Sequence, residues 1–95
     1  MNTQDIKNIL DKSLGMHIGN VSDEWKAPSV VAGESDGEVS VQVRGTNWKE
    51  TTDLREKVKT ALSDKYVIEQ GMPEFNSVEF RFWETLKVKE KPQKQ

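Results

Sequence analysis

The stretch VSVQVRG at residues 39–45 carries the clearest strand pattern in the chain. Valine occupies every second position, and Ser40, Gln42 and Arg44 occupy the positions between. Because successive side chains of a strand point to opposite faces of a sheet, this alternation predicts one buried and one exposed face. Gly45 is expected to end the strand. We therefore expect a sheet with its core on one side and with Gln42 and Arg44 on the other.

A hairpin is predicted immediately before this strand. Val30 and Val31 predict a short first strand, and residues 34–37 (ESDG) supply the turn. Asp and Gly tolerate the positive φ angles that tight hairpin turns need, so Asp36 and Gly37 are expected at its centre.

A helix is predicted at the start of the chain. Asn2 or Thr3 can cap its first amides, and Gly15 follows its last apolar residue, where a left-handed C-cap is expected. The apolar stripe at helical spacing consists of Ile6, Ile9, Leu10 and Leu14. Residues 16–27 are expected to form a loop, since they are rich in Gly, Asn and Ser, and Trp25 is expected to pin that loop to the body of the domain.

A second helix is predicted from Trp48 or Thr51 to Asp64. Its apolar face consists of Leu54, Val58, Ala61 and Leu62. A short strand is predicted at residues 66–70, and the Met-Pro pair at residues 72–73 is expected to break it.

The last strand is predicted from Val78 to Val88. Its expected buried face consists of Val78, Phe80, Phe82, Leu86 and Val88, and its expected opposite face consists of Glu79, Arg81, Trp83, Thr85 and Lys87. The predicted order is therefore α-β-β-α-β-β. Hairpin-connected strands with helices on one face indicate an α+β two-layer sandwich, with a mostly antiparallel sheet of about four strands and two helices packed on one face.

The bulk composition limits the classes of protein to consider. With 95 residues the chain has room for one domain, expected over residues 1–88, and residues 89–95 are expected to form a flexible basic tail. Fourteen basic and sixteen acidic side chains give a net charge of −2, which disfavours nucleic acid as the main partner. The sequence contains no cysteine, no apolar run long enough for a bilayer and no secretory signal pattern, so a cytoplasmic protein is expected. Only 34% of the residues are apolar, so either part of the chain is loosely ordered or self-association buries extra surface.

No catalytic constellation can be assembled from the sequence. His17 is the single histidine, and it has no partner at the spacing of a zinc site. The glycines follow turn positions and do not form a phosphate-binding loop. We therefore expect a protein without enzymatic activity, cofactor or metal, which acts by binding other proteins.

Exposed Trp and Arg side chains are the best candidates for that binding, because both are enriched at the energetic centres of interfaces. Trp83 falls on the polar phase of the last strand beside Arg81, and Gln42 and Arg44 would share that face of the sheet. A shift of one residue in register would instead bury Trp83 under a helix or loop. Trp48 either staples the start of the second helix or projects from it. The candidate interaction residues are Gln42, Arg44, Arg81, Trp83 and Trp48.

The stretch VSVQVRGTNWKETTDLREKVKTAL at residues 39–62 resembles the centre of the small phage tail-terminator family, also described as minor capsid or tail-completion proteins. In that family a strand ending in an apolar-Gln-Val-Arg-Gly pattern precedes a helix. The resemblance implies a protein that forms a ring, typically hexameric, at the end of the phage tail and contacts tail-tube and head-completion proteins. It implies host cytoplasm and then the virion tail as locations. Gly45 would allow the chain to turn out of the strand, and Arg44 would make an inter-subunit or tail-tube contact.

Three functional hypotheses remain open at this point. The first is the tail terminator or head–tail completion protein. The second is a small phage-encoded protein that binds and inhibits a host protein. The third is an accessory nucleic-acid-binding domain, whose contact face would combine Arg44, Arg81 and Trp83 with the lysines of the tail.

Overall fold

The computed structural model describes residues 2–92 of the chain. Its elements in chain order are α1 (Thr3–Leu14), β1 (Ile18–Asn20), β2 (Ser29–Ser35), β3 (Glu38–Gly45), α2 (Trp48–Leu62), β4 (Tyr66–Gln70), β5 (Glu74–Asn76) and β6 (Arg81–Glu90). The predicted α+β class is confirmed. The sheet has six strands, not about four, because β1 and β5 were not predicted. Neither helix of this part of the chain is long and apolar enough to cross a membrane.

The sheet is built around β3 and β6. Along the sheet the strands follow the order β1-β2-β3-β6-β4, and β5 pairs with the first residues of β6. Only β1 and β2 are parallel, and all other neighbours are antiparallel. The predicted hairpin is confirmed, because Asp36 and Gly37 have φ angles of 52° and 78° and connect β2 directly to β3.

Both helices cover the same face of the sheet, which we call the helix face, and the opposite side is the outer face. The buried core between the helices and the sheet consists of Ile6, Leu10, Ile18, Val30, Ala32, Val39, Val41, Val43, Val58, Leu62, Leu86 and Val88. The predicted alternation of residues 39–45 is therefore confirmed. The apolar stripes of both helices pack against this core as expected, with Ile9, Leu14, Leu54 and Ala61 at its margin.

The helix ends follow local sequence signals. The Asn2 side chain accepts a hydrogen bond from the Asp5 amide at 2.9 Å, and Gly15 closes α1 in the left-handed conformation with φ of 65°. Asn47 caps α2 in the same way, with the Glu50 amide donating at 2.8 Å. Helix α2 therefore begins at Trp48, the earlier of the two predicted starts.

Gly45 is the last residue of β3, as predicted, but its role differs from the one that the resemblance implies. A Cβ atom at this position would lie 3.0 Å from the backbone nitrogen of Thr51 and closer still to the Thr51 hydroxyl. Glycine is therefore needed for the close approach of α2 to the end of the strand, because any side chain would collide with the helix.

The beginning of the last strand was predicted wrongly. Strand β6 starts at Arg81, and the side chains of Val78 and Phe80 are 86% and 70% exposed, although both were assigned to the buried face. Phe80 has a φ of 55°, which a regular strand does not accommodate. The Asn76 side chain accepts hydrogen bonds from the amides of Val78 and Glu79 at 3.1 and 3.2 Å, which closes a turn before the strand. From Phe82 onward the predicted faces are correct.

The predicted loop at residues 16–27 also contains a strand. Residues 18–20 form β1 and pair in parallel with residues 30–32. The Asp23 carboxylate then accepts a hydrogen bond from the Asn20 amide at 2.8 Å, which turns the chain away from the sheet. Ile18 and Gly19 are buried and Asn20 is exposed, so this three-residue strand shows no alternation. A strand this short carries no sequence pattern of its own and is recognised only by its pairing with β2.

Strand β6 extends two residues beyond the expected domain boundary at residue 88. Lys89 pairs with Val67, and Glu90 pairs with Tyr66. The Lys91 ammonium donates a hydrogen bond to the Asp64 carbonyl at 3.0 Å. The last residues of the predicted basic tail, 93–95, lie outside the described part of the chain.

One ionic pair interrupts the apolar core. Glu84 faces the helices and is only 1% exposed. Its carboxylate lies 3.3 Å from the Arg55 guanidinium of α2 and 3.4 Å from the Gln70 side-chain amide. The hydrogen bond with Glu56 and the charge of Glu84 raise the pKa of Arg55, so the guanidinium stays charged. Removing one partner of such a pair is costly, since the other charge then stays buried alone.

We predict that Arg55→Met lowers the free energy of unfolding by about 3 kcal/mol, because Glu84 is left without its countercharge. The double variant Arg55→Met/Glu84→Leu should recover most of that loss, since no charge then remains in the core. Urea unfolding of both variants measures the two values. Lys49→Met is the matched control, because it breaks the exposed pair with Asp53 and should change the value by less than about 0.5 kcal/mol. A double variant as unstable as the single one would contradict this account.

Candidate functional site

Four of the five predicted interaction residues lie together on the outer face. The register of β3 with β6 sets Gln42 opposite Thr85 and Arg44 opposite Trp83. Arg81 lies two residues before Trp83 on the same side of β6. The alternation that predicted this grouping is therefore confirmed.

A segment of the same chain covers this group. We call residues 21–28 the strap, because they cross the outer face after β1. Trp25 of the strap lies edge to face on Trp83, with ring centroids 5.8 Å apart. The guanidinium carbons of Arg44 and Arg81 each lie 5.2 Å from the centre of the Trp25 ring. The prediction that Trp25 pins this segment is confirmed, and the cations and rings attract each other because the face of an indole ring is electron-rich.

Arg44 lies between the sheet and the strap and forms hydrogen bonds with the strap backbone. It is only 6% exposed, and its guanidinium donates to the backbone carbonyls of Val21 at 2.9 Å and Asp23 at 3.4 Å. Its third contact is the Gln42 side-chain oxygen at 2.6 Å. Burial lowers the pKa of Arg44, while the nearby Asp23 carboxylate acts in the opposite direction. Arg44 thus points away from the core as expected, but these hydrogen bonds join it to its own chain.

Trp83 and Arg81 are also engaged within the chain. The Trp83 indole nitrogen donates to the Glu74 carboxylate of β5 at 3.0 Å. The Arg81 guanidinium forms an ion pair with Glu79 at 2.9 Å. Trp83 therefore combines both alternatives left open by the sequence: it lies on the outer face and packs under a loop.

An open cavity of about 470 Å³ lies beside the strap and the start of β2. Met16, Pro28 and Val31 supply apolar wall, and His17 and Arg44 are among the polar groups at its edge. Within residues 2–92, no three His, Asp or Glu side chains converge in an arrangement that could hold a metal ion.

The fifth predicted residue, Trp48, belongs to a different surface. It lies at the first turn of α2, with its ring 4.9 Å from that of Phe82 and 5.9 Å from that of Phe75. Phe75 and Phe82 are cross-strand neighbours on the helix face and stack at 6.3 Å. Since Trp48 is the first residue of α2, the cluster lies at the beginning of that helix.

We call the apolar surface around this cluster the hairpin end. Its exposed members and their exposed fractions are Met72 at 83%, Phe75 at 60%, Val78 at 86%, Phe80 at 70% and Trp48 at 40%. An aromatic side chain presents roughly 150–250 Å², so the five exposed parts together amount to on the order of 600 Å². A monomer rarely leaves a larger apolar patch in water, and patches of this size often mark binding sites.

Most of the hairpin end was missed from the sequence. Val78 and Phe80 alternate correctly with Glu79 and Arg81, so the pattern assigned them to the core. The available signal was Asn76, a residue that favours turns and is followed by Ser77. Read as a turn, these residues would have placed the next apolar side chains at the tip of a hairpin.

The two edges of the sheet differ in how open they are. At the β1 edge the Asn20 amide is already bonded to the Asp23 carboxylate. At the opposite edge β4 and β5 follow each other along β6, separated by a bulge at residues 71–73. In the described part of the chain, no strand pairs with the edge of β5 that faces away from β6.

Searches for related proteins find no match among family models, curated proteins or solved structures.

We predict that Trp25→Ala lowers the free energy of unfolding by about 2 kcal/mol, because it removes two cation–π contacts and one aromatic pair. Limited proteolysis should then cut within the strap much faster than in the parent chain. Val67→Ala, an exposed apolar residue on the same face, is the control and should change neither measurement. An unchanged rate of cleavage in Trp25→Ala would show that the ring does not hold the strap.

Phe80 provides a second test, because its backbone is left-handed. This conformation costs a residue with a Cβ atom roughly 1–2 kcal/mol, whereas glycine adopts it freely. We expect Phe80→Gly to be about 1 kcal/mol more stable than Phe80→Ala in urea unfolding. Equal stabilities, or a less stable glycine variant, would show that the turn is unstrained.

Proposed function

We propose that this protein is a non-enzymatic structural protein that acts by binding other proteins through the hairpin end. The observation that carries the proposal is five large apolar side chains, 40–86% exposed, on and next to the β5–β6 hairpin. Their burial against a partner is favourable because it removes apolar surface from water. At roughly 25 cal/mol per Å², about 600 Å² corresponds to on the order of 15 kcal/mol before the costs of association.

The backbone of Phe80 supports this proposal independently. An aromatic residue in the left-handed region is strained, and the chain would be more stable with glycine there. The ring is also 70% exposed, so packing within the chain does not offset the strain. A binding role accounts for both facts, because the strain presents the ring to a partner.

The specific form of the proposal is a phage tail terminator or head–tail completion protein. It is supported by the resemblance of residues 39–62 to that family. Copies of the chain would form a ring, hexameric in the family it resembles, and would contact tail-tube and head-completion proteins. The protein would act in the host cytoplasm during assembly and then in the virion tail, with neither membrane nor nucleic acid as its partner.

The hairpin end also favours a second candidate function. A small phage-encoded protein that binds and inhibits a host protein needs the same feature, a preformed apolar surface of near-interface size. The two candidates differ in the partner, since the first requires copies of the chain and the tail tube.

The test is light scattering coupled to size-exclusion chromatography, followed by electron microscopy for rings, with and without tail-tube protein. We expect assemblies larger than a monomer, either alone or on the tube. Val78→Asp should shift them toward the monomer, because it sets a charge in the apolar contact. Val67→Asp, also an exposed valine, should leave them intact.

If the protein stays monomeric at high concentration and also fails to bind tail-tube protein, it is not a tail terminator. Recovery of one host protein from a lysate, with loss of both binding and inhibition in Val78→Asp, would then establish the second candidate. If Val78→Asp and Val67→Asp behaved alike in every assay, the hairpin end would not be the binding surface.

A further inference from the structure

We infer that two copies of the chain pair through β5, antiparallel and edge to edge, with Phe75 of each copy at the twofold axis. The inference rests on the self-association proposed above and names the contact that produces it. β5 has an open edge, that edge allows one favourable register, and the exposed apolar side chains beside it gain from burial.

The two edges of the sheet differ in whether they can accept another strand. At the β1 edge the Asn20 amide is already bonded to the Asp23 carboxylate, whereas the edge of β5 that faces away from β6 has no strand beside it in the described residues. An open strand edge is a template for another strand. A sheet with one open edge can extend onto a copy of itself only by pairing that edge with the same edge, which gives a twofold contact.

Of the two strands at this edge, β5 suits pairing with another copy better than β4. Pro73 has no amide hydrogen, so regular pairing cannot run through the bulge between β4 and β5. On β4, the helix-face residues Tyr66 and Ile68 already pack against the core. On β5, Phe75 is 60% exposed on the same face. Pairing along β5 is therefore the choice that removes apolar surface from water.

The favourable register places the twofold axis at Phe75. A twofold axis at Phe75 pairs all three residues of β5: Phe75 with the partner's Phe75, and Glu74 with the partner's Asn76. An axis at Glu74 would instead oppose two carboxylates and pair Phe75 with the partner's Pro73, which cannot donate. A shift by one residue would set the helix layers of the two copies on opposite faces of the joined sheet.

The charges on the outer face agree with the axis at Phe75. Asn76 is the cross-strand neighbour of Arg81, and Glu74 is the neighbour of Trp83. Across the contact, each Glu74 would lie two strands from the partner's Arg81, about 9–10 Å between backbones. Long Glu and Arg side chains span that distance, so each Glu74 can meet the partner's Arg81, although the two Glu74 backbones also lie diagonally about 8 Å apart.

The apolar surface agrees as well. Around the axis the two Phe75 rings would meet on the helix face, and Phe82 and Trp48 of each copy would flank them. Phe75 and Trp48, which are 60% and 40% exposed, would lose contact with water there, and this burial would stabilise the pair. The hydrogen bonds of the joined strands would add to it.

A contact of this type is saturated by two copies. A ring of six would therefore be three such pairs joined by a second, different contact. The dimer should be the smallest stable assembly, and dilution of larger assemblies should stop at dimers before it reaches monomers.

The experiment uses the absence of cysteine from the sequence. Single variants Glu74→Cys and Asn76→Cys are prepared separately, mixed and mildly oxidised. In the inferred register these two positions face each other within the range of about 4.4–6.8 Å that a disulfide needs, whereas position 76 of one copy would lie about 8 Å from position 76 of the other. We expect the mixed disulfide to form at least tenfold faster than either like pair. Val67→Cys, on the same edge but in β4, is the control and should not join the mixed product.

Charge reversal tests the same register in the full chain. Glu74→Arg or Arg81→Glu alone should weaken the dimer at least tenfold in light scattering, and the double variant should recover it. Circular dichroism checks that each variant stays folded.

Each outcome decides the matter. Preferential mixed disulfide with recovery in the double variant supports the inference. A dimer without preference for the mixed disulfide overturns it, since the copies then meet elsewhere. A monomer that binds tail-tube protein overturns it and leaves the proposed function standing, whereas a monomer that binds neither overturns the tail-terminator form as well.

Discussion

The antiparallel pairing of β3 with β6 sets both faces of the sheet at once. It runs without interruption from Val39 opposite Val88 to Gly45 opposite Phe82. On one side it lines up the apolar residues that both helices cover, and on the other it brings Arg44 beside Trp83, where the strap can dock. A slip of one residue would exchange the two faces, turning Arg44 toward the helices and the valines toward the outer face. The core, the strap and the hairpin end therefore all depend on one register.

The parts of the fold that repeat a local pattern could be predicted from the sequence, and the parts that depend on a neighbour could not. The alternation of residues 39–45, the helical stripes and the Asp36-Gly37 turn all carry their own signal. Strands β1 and β5 have three residues each and exist only because β2 and β6 lie beside them. The error at Val78 and Phe80 has another cause: alternation continued past the end of the strand, and no pattern of side chains reveals a left-handed φ angle at Phe80.

Residue type alone does not tell whether a side chain binds a partner or its own chain. This is the case for Gln42, Arg44, Arg81 and Trp83. Arginine and tryptophan are enriched at interfaces because they combine area with a polar group. The same properties suit them to hold a strap within one chain, as Trp25 between two guanidinium groups demonstrates. Residue type predicted that these side chains bind another protein, and alternation predicted where they meet. Neither could tell that the first partner available would be residues 21–28, since that depends on the path of a loop.

The position of β6 has a consequence for the order in which the molecule folds. It follows all other strands of residues 2–92 along the chain, but it lies between β3 and β4 and contributes Leu86 and Val88 to the core. Until residues 81–90 have left the ribosome, β3 has no partner on that side and β4 has no strand to pair with. Contacts between residues so far apart form slowly. The cooperative fold therefore needs residues 81–90, and a nascent chain stalled before them would expose an apolar strand edge to aggregation.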